Sequence, residues 1–411
     1  MVCGMSWEWK IPKLNVEFDT LENNLGVIIH RKKLLTVAYR ILSKFGYRNE
    51  EIPEEIHLLE HMMFKPEERI FPVFQKMGGD INGYVAMDEF GIYWNIPHVF
   101  QMDAANTVMN IIDKNRHYWT KEMLKREKNV ILREISENFS NPRSYIGILV
   151  RRKLFGEGAP GTHDPREIER AFNGISIDYI RSKADKMAPE ASVLAIVGVA
   201  EDGAAEIFGD WSGTPCRVKA LKPDPEYGWH FEARETMENF LSVAWIGAPK
   251  STVDSEVLSL LAAILAAFPT SRLYRRLRIV EGLVYYVVAL NFSFVDTGYF
   301  MINTSTVPRH TREVIGYIMD EVVRIIDDGI SEEEVRDMKN MFFGMLYNLT
   351  DSKVALSSTL AYNGLFYGDP LKLYNETAVM VSKLRPEDIQ RVAREYLKPE
   401  KNVVCVIGRK Y

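Results

Sequence analysis

The segment Asp178 to Gly198, DYIRSKADKMAPEASVLAIVG, lies over Asp388 to Gly408, DIQRVAREYLKPEKNVVCVIG, at an offset of 210, with Asp, the Pro-Glu pair, a Val and the closing Gly in register. Each copy reads as an amphipathic helix, a Pro-Glu turn and an apolar run of strand type, SVLAIVG in one and NVVCVIG in the other. Earlier in each copy, Lys128-Asn129 and Leu154-Phe155 recur as Lys339-Asn340 and Leu365-Phe366 at an offset of 211. Generic helix and strand patterning produces periodicity, but it does not hold register over such a distance. The 411 residues, which by length alone allow two or three unrelated domains, therefore resolve into two related halves of about 200 residues.

Within each half the strand-like runs come early and the helical segments late. NVEFDTL, LGVIIHR, LTVAYRIL and EFGIYWNI belong to the first half; FLSVAWIGA, LVYYVVALNFSF and GYFMINTST to the second. This order predicts an α+β fold of two homologous domains, each a mainly antiparallel or mixed sheet packed with helices. From Glu201 to Trp229 the chain carries Trp211, Gly213, Pro215, Pro223 and Pro225 with little periodicity, the composition of a domain end and linker. The expected boundaries are a domain over 1–214, a linker over 215–228 and a second domain over 229–411.

Lys plus Arg is 51 and Asp plus Glu is 56, a net charge of −5 with no general attraction for nucleic acid or an anionic membrane. With 46% hydrophobic and 26% charged residues the chain has the makings of real cores. Cys3, Cys216 and Cys405 are scattered, with no CxxC, which argues against a disulfide framework or a thiolate zinc site and for a reducing compartment. Glu8, Lys10 and Pro12 interrupt any apolar run at the N-terminus, so no secretory leader is read there and the cytoplasm is the expected location. The apolar stretch Val257 to Phe268 is shorter than the ~18 residues of a membrane span and reads as a buried helix.

The strongest chemical signal is HLLEH, His57 to His61. On a helix, positions i, i+3 and i+4 share a face, so His57, Glu60 and His61 project together. Two imidazoles one turn apart can grip one metal ion while the carboxylate between them reaches a water on it, the mirror order of the HExxH zinc site. Zinc held by two His needs a third protein ligand. KREKNVILREISENF, with Glu127, Glu134 and Glu137, is helix-like, and Glu127 and Glu134 lie two turns apart. One could be the ligand and the other a supporting hydrogen-bond partner. The internal repeat bears on this. A shift of 211 replaces Glu127 and Glu134 by Met338 and Met345 and carries the HLLEH region into the end of AAFPT and the two residues after it, FPTSR, so the second half keeps the pattern without the ligands. The other histidines, His30, His98, His117, His163, His230 and His310, lack metal spacing and are read as structural or exposed.

With these motifs the chain resembles, over nearly its whole length, the M16-family metallopeptidases, the inverzincins that include insulin-degrading enzyme and mitochondrial processing peptidase. The family motif is HxxEH followed some seventy residues later by Glu, here 73 residues from His61 to Glu134, with a further Glu seven residues earlier, here Glu127. The resemblance implies a LuxS/MPP-like metallohydrolase fold, one zinc ion held by His57, His61 and Glu134, Glu60 as general base and Glu127 in support. LRIVEGLVY resembles a second family signature and implies that Arg278 and Tyr285 bind substrate backbone and face the oxyanion. GGDINGYVAMDEFGIYW resembles the family's peptide-binding strand, with Gly78 and Gly79 at the turn and Asn82, Gly83 and Tyr84 lining the cleft. Glu54-Glu55-Ile56 ahead of the motif, Lys65-Pro66 after it and Gly83 in place of the usual Ala depart from the family pattern. Those departures bear on cleft shape and specificity.

The implied activity is endopeptidase cleavage of unfolded peptides inside a clamshell chamber, with a homodimer as the expected partner arrangement, or a second protein in its place, because family members of this length are half of the full clamshell. A relative-like non-catalytic structural or binding subunit, and a zinc hydrolase of non-peptide substrates, are the competing readings.

Overall fold

A computed structural model describes residues 9–410. Cys3 and the N-terminal stretch to Glu8, on which part of the cysteine and leader readings rest, lie outside the described residues.

The first sheet comprises β1 (Glu17–Thr20), β2 (Gly26–Arg31), β3 (Thr36–Ser43), β4 (Asp80–Val85), β5 (Phe90–Pro97) and β6 (Ser192–Gly198), in the order β1-β2-β6-β3-β5-β4. Only β2 and β6 run parallel. The second sheet comprises β7 (Gly228–Ala233), β8 (Asn239–Gly247), β9 (Val287–Ser293), β10 (Gly298–Thr306) and β11 (Val403–Gly408), in the order β7-β11-β8-β10-β9, with only β7 and β11 parallel. Without β1, the first sheet has the second sheet's order and strand directions position by position. The fold is thus a two-lobed α+β architecture of mixed sheets packed by helices. No strand or helix is assigned from Trp211 to Tyr227.

The repeat seen in the sequence extends to the helices. Lys121–Ser140 and Glu332–Asp351 are 20-residue helices, each followed after one residue by another, Pro142–Phe155 in one half and Lys353–Tyr367 in the other. The repeated lysine has one task in both. Lys128 Nζ donates to the carbonyls of Phe172 and Ile175, each at 2.6 Å, and Lys339 Nζ to that of Ser382 at 3.0 Å. A cation placed on carbonyls at a helix end satisfies acceptors that the helix leaves unpaired. The offset of 210 to 211 holds from the Lys121–Ser140 helix onward and is smaller before it, 202 from Gly26 to Gly228, the first residues of β2 and β7. The helix between β8 and β9, Val253–Ala266, is the topological counterpart of Glu55–Met63, and AAFPT shares with it only the last residue, Ala266. The loop ahead of the first-half helix is longer than its counterpart, so the offset shrinks there; the counterpart helix carries no His and supplies no ligand. It is also the buried helix expected over Val257 to Phe268, and no helix of the described residues is long and apolar enough to cross a membrane.

The halves do not keep separate cores. Tyr145, Leu149 and Leu154 of the first half's Pro142–Phe155 helix pack with Ala244, Val403, Cys405 and Ile407 of the second sheet. Reciprocally, Leu356, Leu360 and Leu365 of the Lys353–Tyr367 helix pack with Ile28, Leu42, Val193 and Ala195 of the first. Gly364 makes this approach possible, since a Cβ there would lie 2.5 Å from Ile28 Cδ1. Charge ties the seam as well: Arg48 bonds Asp88 at 2.7 Å and Asp296 of the other half at 2.5 Å, and Lys250 reaches Asp88 at 3.3 Å. Removing one member of such a buried set leaves an unpaired charge, which costs more than the set contributes.

In the second half Arg272 joins the long helices, donating through Nε and Nη2 to Glu334 at 2.5 and 2.8 Å and through Nη1 to Glu321 at 3.0 Å. Burial alone would raise the Glu334 carboxyl, but the guanidinium and the Ser331 backbone N–H outweigh it and hold the pKa at about 2, below the ordinary 4.5. A depressed carboxyl contributes stability that is present above pH 4.5 and lost as pH falls through 2. Glu334→Gln is therefore expected to cost about 2 kcal/mol near pH 7. The difference from wild type in denaturant melts should shrink between pH 4.5 and 2; a gap constant with pH would contradict it.

Candidate metal centre

The helix Glu55–Met63 buries Ile56, Leu58, Leu59, Met62 and Met63 in the first half's core. That leaves His57, Glu60 and His61 on its other face, one helical turn apart. Their ligand atoms lie within 4.8 Å of one another. The imidazole rings stand nearly perpendicular, 80° apart with centroids at 5.0 Å. Glu134, on the Lys121–Ser140 helix, brings Oε2 to 3.6 Å from His57 Nε2 and 3.7 Å from His61 Nε2. Glu60 Oε2 lies 3.9 Å from His61 Nε2. Glu134 is thus the donor that sits evenly between both rings, and Glu60 stands to one side.

The outer ring nitrogens are held as well. His61 Nδ1 faces Glu127 Oε2 at 3.1 Å and His57 Nδ1 faces Glu54 Oε2 at 3.0 Å. A carboxylate on Nδ1 keeps the proton there and turns the Nε2 lone pair toward the space between the rings. Glu127, buried with a side chain 3% exposed, also takes Lys65 Nζ at 3.2 Å. Two imidazoles and a carboxylate oxygen, with the rings oriented from behind, form the donor set of a hydrolytic zinc site. The residues present fit that ion.

The titration of these groups follows from the same contacts. Burial raises the Glu60 carboxyl above its usual range, against the pull of His61 and His57. Burial would lower His57, but the Glu54 bond and charge, with Glu60 and Glu134, leave it raised. Burial would raise Glu127, and the His61 and Lys65 bonds bring it down instead. A carboxylate of raised proton affinity, beside the site but off the shared axis, is suited to accept a proton.

Glu54 is the partner that reading the sequence did not assign. EEIHLLEH has two adjacent acids, and Glu55 goes the other way, to Lys183 Nζ and, at 2.5 Å, to Tyr179 OH. Glu54 adopts a left-handed backbone (φ 63°) at the helix start, which swings its side chain over His57. The signal was its position three residues ahead of the first His. Glu54→Gln and Glu127→Gln are each expected to weaken zinc binding by about 10–100-fold in competition with a chromophoric chelator. Unchanged affinity in both would rule out this support.

The peptide-strand residues fall on two faces. β4 is the outermost strand, bonded only to β5, so its other edge is unpaired within the sheet. Gly78 ends the preceding helix with φ +70°. Gly83 lies against the metal centre, where a Cβ would stand 2.6 Å from Glu60 Oε1 and 2.7 Å from the Phe64 ring. Tyr84 turns to the opposite face, donating to Glu89 at 2.8 Å, and Asn82 is exposed. Arg278 and Tyr285 meet each other: the guanidinium lies 4.5 Å from the Tyr285 ring centroid and donates to the Tyr285 carbonyl. Neither is hydrogen-bonded or ion-paired to the His-Glu cluster, and Tyr285 is 75% exposed. Of the residues replacing the acids in the second half, Met338 is buried in the core and Met345 exposed.

A family profile described as "Peptidase M16 inactive domain" matches residues 185–342. An uncharacterized zinc protease of Bacillus subtilis is 23% identical over 393 residues, 92% of this chain and 94% of that protein. Another, from Streptomyces coelicolor, is 21% identical over 413 residues, 95% of this chain and 89% of that protein. Among solved structures, a peptidase M16 inactive domain from Pseudomonas fluorescens superposes with a TM-score of 0.87 at 20% identity, covering 97% of this chain and 99% of that one. A protease from Helicobacter pylori gives 0.85 at 16% identity, covering 96% and 99%. At such identities the superpositions speak for the fold; the HxxEH cluster of His57, Glu60 and His61, the motif of zinc proteases, speaks for the chemistry. With fold, profile and cluster in agreement, the chain is similar to M16-family peptidases and carries the His-x-x-Glu-His metal motif of a zinc metalloprotease.

Proposed function

We propose that the chain is a zinc-dependent endopeptidase acting on unfolded peptides or small polypeptides. One observation carries the reading: Glu134 Oε2 stands between the two Nε2 atoms at 3.6 and 3.7 Å, which leaves Glu60 beside the centre for proton transfer. His57, His61 and Glu134 would hold the zinc, which when bound supplies Lewis acidity to the scissile carbonyl and to the attacking water. Glu60 takes the proton from that water and returns it to the leaving amine. The free edge of β4 takes the peptide as an added strand, with Gly83 allowing backbone to approach Glu60.

Arg278 and Tyr285 are assigned to the oxyanion, a term that tends to be large in such reactions. That neither bonds to the cluster within one chain supports a homodimer in which a second copy supplies them, closing a chamber of four domains. The domain division at 215–228 and a cytoplasmic location complete the reading.

The test is a mass-spectrometric cleavage profile of an unstructured peptide mixture. Internal cleavages that stop with chelator and return with zinc, at about one zinc per chain, are expected. Zinc-loaded protein that leaves every peptide intact would favour a binding subunit instead. In the same assay, a Glu60→Gln chain mixed with an Arg278→Ala chain should regain activity that neither has alone; mixed dimers without recovery would count against shared sites.

A further inference from the structure

A cavity of about 490 Å³ opens beside the metal centre, with His57 and Glu54 at one end and the second half's Phe292, Phe294 and Tyr299 forming part of the wall. Its walls are largely apolar, but one charge in them has no counterpart. Arg151, on the Pro142–Phe155 helix, donates through Nη2 to the Gly161 carbonyl at 3.1 Å and lies beside the Tyr299 hydroxyl. Its Nε has no partner, and among the described residues it forms no ion pair. His163, also in the wall, has an unpartnered buried Nδ1. The neighbouring Arg152 shows the usual alternative, paired with Glu157 at 3.5 Å. An unmatched guanidinium in a low-dielectric cavity is costly unless an anion completes it.

The nearby carboxylates do not offer the reverse match. Glu54 is engaged by His57 at 3.0 Å, and Glu50 accepts from the backbone N–H groups of Glu54 and Ile56 at 3.1 and 3.2 Å. An entering lysine would meet carboxylates that already hold donors, whereas an entering carboxylate would find the unpaired Arg151 and the His163 imidazole.

Building on the peptidase reading, we infer that this cavity is a specificity pocket for an acidic side chain, Glu above all, flanking the scissile bond. The apolar walls take the methylene stem, and Arg151 binds the carboxylate with a charge-assisted bond. Glu is favoured over Asp because its longer stem covers more of the wall. Binding here would also hold the two halves together, since Arg151 and His163 come from the first and Tyr299 from the second.

The test uses quenched peptides differing only in Glu, Gln or Lys at one position at a time around a common cleavage site. Wild type should prefer Glu over Gln by about 10-fold or more in kcat/KM at one position. Arg151→Met should bring that ratio near one while leaving the Gln peptide within a few fold, and Arg151→Glu should favour Lys. Arg151→Lys should restore part of the Glu preference, and zinc content and melting temperature report on folding. The same peptides are titrated by equilibrium binding onto zinc-loaded Glu60→Gln protein. Hydrolysis or binding with no Glu preference at any position, or an Arg151→Met loss equal for Glu and Gln, overturns the pocket and leaves the peptidase reading standing. Selective binding without hydrolysis by wild type overturns the peptidase reading and keeps the pocket. Protein that neither binds nor cleaves overturns both.

Discussion

Glu60→Gln should bind about one zinc per chain and yet hydrolyse peptides about 10²–10⁴ times more slowly than wild type, the range for loss of a general base. Gln is nearly isosteric with Glu, and the space that Gly83 leaves beside Glu60 Oε1 accommodates it. The three proposed zinc donors, on His57, His61 and Glu134, are untouched, so metal content should not fall. What is lost is a carboxylate that burial has made a stronger base than usual. Elemental analysis and a fluorogenic peptide assay on the same sample separate the two effects. Activity within tenfold of wild type would remove Glu60 from proton transfer, and loss of zinc would make it a ligand.

The second large effect is expected at the ring held from both sides. His61→Ala removes one of three protein donors. If the roughly 10–16 kcal/mol of a structural zinc site is shared among four donors, the loss amounts to about 10²- to 10³-fold in affinity. Hydrolysis should fall with zinc occupancy. The fold should survive, because Glu127 retains Lys65 at 3.2 Å and the helix keeps its buried face. A ligand that binds only the native state raises its stability, so zinc should raise the melting temperature of wild type and not of His61→Ala. An equal zinc-induced rise in both would place the ion elsewhere.

The features legible in the sequence were those set by local geometry. HLLEH on a helix places His57, Glu60 and His61 on one face because 3.6 residues make a turn, and Glu127 and Glu134 share a face for the same reason. The strand-type runs and the Lys128/Lys339 repeat were legible because apolar period and register survive in the chain itself. Glu54 was harder to see. Whether it or Glu55 meets His57 depends on one left-handed residue at the helix start, and the sequence holds no Gly or Asn there to announce it.

Other features depended on elements far apart in the chain. Asn82, Gly83 and Tyr84 are consecutive, but strand alternation puts only Gly83 against Glu60, and which face of β4 meets the helix is decided by sheet order. Arg278 and Tyr285 were expected to be functional; they lie in the second half, contact each other and form no bond to the cluster within one chain.

By itself, then, the sequence determined two related α+β halves, a helix with the HxxEH motif in only the first, and the acids that face it, since each rests on spacing within a single element. Only the tertiary structure decided that the halves exchange helices across each other's sheets, that Glu54 and Glu127 orient the two rings, and that Arg151 lines a cavity beside His57 without a carboxylate partner. Those outcomes depend on burying apolar faces against surfaces up to hundreds of residues away, and no local period records which surface a face will meet.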